Sequence, residues 1–275
     1  MVRYLLHPRW LSYLALAVLF AVVAVLLGNW QYSRHEGKVE RRDTINANYD
    51  ASPVSLGSVL QTADEPLAAH QDWTRVEVTG RYRLEDQLLV RNRPYRSVYG
   101  YEVLVPFEVD GTYRSADLLI DRGWVPNASS AATLPDVPAA PGGTVTVTGW
   151  LRPSEEDLGR DLPAGQVASI NATVAESAAG LPLYDAYLEL QDETGTAPED
   201  RPAPADRPDT GLGVNFAYAL QWWIFSPIGL VLVVLMARRE VRDAEDADLD
   251  SPGRPTPVKE KVGAKKKRIW DDEDF

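Results

Sequence analysis

Two apolar runs, far apart in the chain, organise everything else. Leu11 to Leu27 carries no charge, and Trp10 and Gly28 extend it to about the 20 residues that cross ~30 Å of hydrocarbon. It ends at Trp30-Gln31 and gives way to Arg34, Glu36 and Lys38. Phe216 to Met236 is the second run, interrupted by Gln221, Ser226 and Pro227. Pro227 removes a backbone donor and predicts a kink about a third of the way across. A cleaved signal peptide would need small residues at a cleavage site, whereas the first run leads into Gly28, Asn29 and Trp30, so an uncleaved anchor is expected.

Between the runs the period changes to two. Trp73 to Tyr82 alternates apolar with polar, as a half-buried strand does. Gln87–Arg91, Gly100–Phe107, Ala116–Trp124, Gly143–Leu151 and Leu183–Leu190 are further strands, with Asp110-Gly111 as a hairpin turn. Gly143–Leu151 alternates most clearly, setting Val145, Val147 and Gly149 on one face. Ser169–Gly180 predicts one short helix capped by Asn171. Arg41 to about Ala68 reads as a polar connector, and Gly195–Asp209 as an extended linker rich in Pro, Asp and Arg. The fold class that results is a membrane-anchored α+β protein: two transmembrane helices flanking a mainly antiparallel β domain, a small barrel or sandwich.

Arg238, Arg239 and Arg242 follow the second run at once and place the C-terminus in the cytoplasm. Two crossings return both termini to one side. The expected layout is therefore a cytoplasmic N-terminus at 1–9, a first span at 10–30, an extracytoplasmic β-rich domain with connectors at 31–214, a second span at 215–237 and a disordered, charged cytoplasmic tail at 238–275. The basic block of that tail, Lys259 to Arg268, is either a solvated segment or a contact for anionic lipid.

With 275 residues, the spans and tail leave about one ordinary domain. A net charge of -12 argues against a nucleic-acid partner. The absence of Cys removes disulfides, thiolate catalysis and thiolate metal ligation. No nucleophile elbow, HExxH or phosphate-cradling glycine loop occurs, and neither span holds an ionisable side chain. A non-enzymatic role with no metal site is expected. Trp30 and Gln31 are either interfacial anchors or contacts for a partner helix; Trp10 is placed as an anchor too. Arg122-Gly123-Trp124 is either a recognition turn or a strand end with Trp packed inward. Tyr218, Gln221, Trp222 and Trp223 either belong to an aromatic belt or line a cofactor or partner site.

Taken together, these residues resemble one family. Leu27-Gly28-x-Trp30-Gln31-x-x-Arg34-x-x-x-Lys38 followed by Arg75-Val-x-Val-x-Gly80 is similar to the Surfeit locus protein 1 family, of a bacterial, actinobacterial type. Gly100-Tyr101-x-Val-Leu-x-Pro106, Arg122-Gly123-Trp124-Val125-Pro126, Gly149-Trp-Leu-Arg152 and Tyr218-Ala219-x-Gln221-Trp222 continue the match in order, over roughly Leu27 to Arg239. The resemblance implies an assembly factor for the haem-copper cytochrome c oxidase. Its expected partners are oxidase subunit I, haem A synthase and other respiratory subunits, within membrane lipid. It implies transient haem a, with Trp30, Tyr218, Gln221 and Trp222 as candidate contacts and Arg122 as a candidate propionate partner. One position departs from the family, which often has a histidine, proposed as the haem ligand, three residues before the tyrosine of the second helix. Here that position is Asn215, a poor iron ligand. The axial ligand stays open: none, one from a partner, or no haem at all in a chain that acts as a scaffold or accessory subunit.

Overall fold

The computed structural model describes residues 7–111, 116–130 and 133–249, and the chain divides into two compact units. A helical unit comprises Met1–Ser33 with Val214–Phe275; a β-rich unit comprises Arg34–Gly213.

In the helical unit, α1 (Pro8–Asn48) and the pair α3 (Asn215–Phe225) and α4 (Ile228–Leu249) are long and apolar enough to cross a membrane. Ser226-Pro227 separates α3 from α4, where the proline was expected to interrupt the second span. Trp10, Ala17, Ala24 and Gln31 recur every seven residues on α1 and form its inward seam. Ala17 and Ala24 are small, which lets the helices approach closely, and Ala219, Val233 and Ala237 are buried on the facing side. Trp10 corrects one expectation. It is 3% exposed and packs with Ala17, Val233 and Ala237 rather than facing outward as an anchor. Beside it, Arg9 Nη2 pairs with both carboxylate oxygens of Glu240, at 2.6 and 2.7 Å.

Both helices run on beyond the expected spans. The first helix does not stop near residue 30 but runs on to Asn48, because Arg34 to Asn48 contains neither Pro nor a run of turn formers. The second continues through Arg238 and Arg239 to Leu249, so the charged tail begins as helix; residues 250–275 and their basic block lie outside the described residues.

The β-rich unit contains β1 (Val54–Ser55), β2 (Arg75–Tyr82), β3 (Leu88–Tyr95), β4 (Val98–Val109), β5 (Asp117–Pro126), β6 (Val145–Pro153), β7 (Gln166–Val167), α2 (Ala172–Ala179) and β8 (Leu183–Glu193). The strands form one sheet in the order β1-β2-β6-β8-β5-β4-β3-β7. β2 also pairs with β4 over Gly80–Tyr82, so the sheet curls back on itself, and this short contact leaves it short of a fully closed barrel. Most neighbours run antiparallel, as expected; β1 with β2, β3 with β7 and β5 with β8 run parallel. Asn171 caps α2 through Oδ1, which accepts the Val174 N–H at 2.9 Å.

Alternation sets the core. Val76, Val78, Val103, Val105, Phe107, Leu118, Ile120, Val145, Val147, Leu151 and Leu188 turn to one face of the sheet and pack together. Leu88, Val90, Leu104, Leu119 and Tyr187 turn to the other face, beneath Ala175 of α2. The segment read as a polar connector contributes Leu56, Val59, Leu60 and Leu67 to the first core. At the end of α1, Tyr49 stacks on Trp150 at 4.3 Å and accepts its Nε1–H at 2.9 Å through the backbone carbonyl; Ile45 and Trp73 complete that cluster. The stretch read as a linker is held against the sheet: Ala203 bridges Trp124 by two 2.8 Å backbone bonds, and Arg201 pairs with Asp192.

Candidate functional site

In the helical unit the resemblance motif of α1 meets the start of α3. Asn215 Nδ2 donates to Gln31 Oε1 at 2.8 Å, and Trp223 Nε1 donates to Asn29 Oδ1 at 3.2 Å. Tyr32 lies against Trp223 and Phe216, with ring centroids at 5.6 and 6.5 Å. Gly28 makes room for the indole: a Cβ there would stand 2.4 Å from Trp223 Cδ1 and Nε1. Where water is scarce, such polar bonds between helices hold a pair in one register. Sequence reasoning singled out Gln31, Trp223 and, as the departure from the family pattern, Asn215, but did not pair them or find Asn29, because a cross-helix bond has no signature within either helix.

Of the residues named from the sequence, Tyr218, Gln221, Trp222 and Trp30 all belong to this unit. Tyr218, Gln221 and Trp30 are exposed and Trp222 is half-buried, while Trp223 turns toward α1. Arg122 does not join them. It is 1% exposed within the β-rich unit, where its Nη2 pairs with Glu193 Oε1 at 2.6 Å and its Nη1 donates to the Pro138 carbonyl at 2.9 Å. Tyr82 donates to the second Glu193 oxygen at 2.6 Å. Arg122 and Glu193 thus form a buried ion pair in the core of the β-rich unit. Arg122-Gly123-Trp124 is accordingly a strand segment: Gly123 has φ +117° and lies under the Ala203 carbonyl, and Trp124 Nε1 donates to Arg93 O.

A second polar cluster lies on the α2 side of the sheet. Arg93 pairs with Glu102 at 2.6 Å and Glu155 at 2.5 Å, and Arg152 pairs with Asp72 at 2.8 Å and Glu189 at 3.1 Å. Asp121 stands opposite Glu189 in the ladder and accepts the Gly123 N–H. Four carboxylates thus pair with two guanidinium groups, and Asp121 is buried beside them. Burial pushes the Glu102 carboxyl up to about 7, helped by Glu155 and Glu189 and opposed by Arg93. Burial also raises Asp121 and Glu189, and the carboxylate oxygens around Tyr187 add to the burial that raises its phenol. These bonds tie β3 to β4 and to the segment after β6, and tie β6 to β8 and to Asp72 ahead of β2, a structural network.

For haem a, the helical unit offers aromatic faces but no imidazole or thioether donor at the level of the Gln31–Asn215 bond, where Tyr32 and Tyr218 supply phenols. The residues there are Gly28 to Ser33 and Val214 to Phe225, none of them His or Met, and the Asn215 carboxamide is already bonded to Gln31. Among the described residues no group of three or more His, Asp or Glu side chains is placed to hold a metal ion. The residues of this pair do not fit a haem ligated by His or Met.

The pattern that defines the SURF1 family matches residues 18–227. Similar to this chain is an uncharacterized SURF1-like protein of Mycobacterium tuberculosis (strain ATCC 25618 / H37Rv), 31% identical over 271 residues, covering 94% of this chain and 95% of the relative. One of Mycobacterium bovis has the same identity and coverage. A SURF1-like protein of Monosiga brevicollis is 28% identical over 238 residues, covering 79% of this chain and 85% of the relative. With matched ends anchored in two apolar helices and the motif residues meeting across them, the chain belongs to the SURF1 family, the family of oxidase assembly factors.

Proposed function

We propose that this chain is a membrane-anchored, non-catalytic assembly factor for the haem-copper cytochrome c oxidase, acting on subunit I as it matures. The observation that carries the reading is the cross-helix lock. The residues of the family motif, Gly28 to Tyr32, are used to set the register of α1 against α3, and so to present one preset helix face. A preorganised face lowers the ordering cost of engaging a client.

The reading takes its scaffold form here. The lock uses Asn215 as a structural carboxamide, so haem a reaching subunit I draws its axial ligands from other proteins, haem A synthase before the transfer and subunit I after it. Both termini are assigned to the cytoplasm and the β-rich unit to the outside, on the strength of Arg238, Arg239 and Arg242 after the second span.

Deleting the gene and recording reduced-minus-oxidised spectra of membranes tests the role. Loss of the haem a band, restored by the wild-type chain, supports it; an unchanged band overturns it. Reporter fusions at residue 7 and within the β-rich unit test the orientation.

A further inference from the structure

Tyr218, Gln221, Trp222 and Phe225 follow the i, i+3, i+4, i+7 spacing of one helix stripe on α3. Tyr218, Gln221 and Phe225 are exposed, while Ala219 on another side of the helix is buried. Gln221 is six residues beyond Asn215, about 9 Å along the helix axis, which carries it inside the apolar span. Among the described residues its carboxamide makes no hydrogen bond. An amide left unbonded in hydrocarbon is costly, and membrane helices satisfy such groups across helix contacts.

We infer that this stripe is the docking face for one transmembrane helix of the client, whose Ser, Thr, Asn, Gln or Tyr side chain completes Gln221. Acyl chains have neither donor nor acceptor and cannot meet the carboxamide, so a helix is the occupant that fits. Aromatic side chains on either side, Tyr218 and Phe225, supply the packing surface around the polar centre. This inference rests on the assembly-factor reading and names the part of the surface it uses.

The full-length chain, expressed in cells lacking the chromosomal gene, would carry a benzoylphenylalanine photo-crosslinker at Phe225, or at Leu26 as a control on α1. Adducts are identified by mass spectrometry. Expected is an adduct from position 225 to a membrane-spanning peptide of an oxidase subunit, reduced about three- to thirtyfold by Gln221→Leu at equal membrane abundance. Adducts to lipid alone or to a second copy of this chain overturn the inference, as does an oxidase adduct indifferent to Gln221→Leu. Full rescue of the haem a band by Gln221→Leu overturns it while leaving the assembly role intact. A band unchanged by gene deletion overturns both.

Discussion

Gly28 lies against the indole of Trp223, so close that a methyl group at position 28 would stand 2.4 Å from Cδ1 and Nε1. The same ring donates to Asn29 and contacts Tyr32. One glycine therefore decides whether the helix pair closes at its most polar level.

Gly28→Ala should push the ring away and break the bond to Asn29, at a cost of about 1–3 kcal/mol, the usual range for overpacking. Lower thermal stability in detergent, with altered tryptophan emission, is the expected readout. Unchanged stability and emission would mean the indole has room to move aside.

Asn215→His should change the chemistry more than the packing. The wild-type chain purified from haem-a-producing cells is expected to be without a Soret band, and the variant to acquire one, because imidazole is a usual axial ligand. A strong Soret band in the wild-type chain contradicts the scaffold form of the function.

Arg122→Ala should be among the most damaging single changes in the β-rich unit. It leaves Glu193 buried without its cation, a loss of about 3–5 kcal/mol. Replacing both partners by apolar residues, Arg122→Met with Glu193→Leu, should recover much of that. Denaturant midpoints of the three proteins check it, and a double variant as unstable as the single one would count against this account.

Stability should fall as pH rises from about 4.5 to about 7. Glu102 has its carboxyl pushed up to about 7, so the folded protein holds a proton in that window that the unfolded chain has released. Folding stability therefore declines with pH, by no more than about 1.4 kcal/mol per pH unit for one group. The raised Asp121 and Glu189 act in the same direction. Glu102→Gln should flatten the slope, which melting curves across pH would reveal.

Much of the fold was readable because periodicity is local. The alternation of Gly143–Leu151 placed Val145 and Val147 in the core, where they are found, and Asn171 was visible as a cap from its position alone. Leu56, Val59 and Leu60 were missed because three apolar residues in a polar stretch have no period to follow. The tight turn between β3 and β4 was missed too: Arg96 and Ser97 both adopt positive φ, +45° and +70°, without the Asn or Gly that marks such turns. The continuation of α1 beyond the expected span was not read, because hydropathy marks where an apolar run stops, not where backbone hydrogen bonding stops.

The candidate site divides along the same line. Sequence alone determined two membrane-length helices, a β-rich segment between them and the family motif, since composition and period are properties of neighbours along the chain. Tertiary structure alone decided that Arg122 is sealed against Glu193, that Trp10 faces inward, and that Gln31 and Asn29 find Asn215 and Trp223. Those are pairings between residues that only folding brings together, and the free energy of a buried charge or an unbonded amide depends on what stands beside it in space.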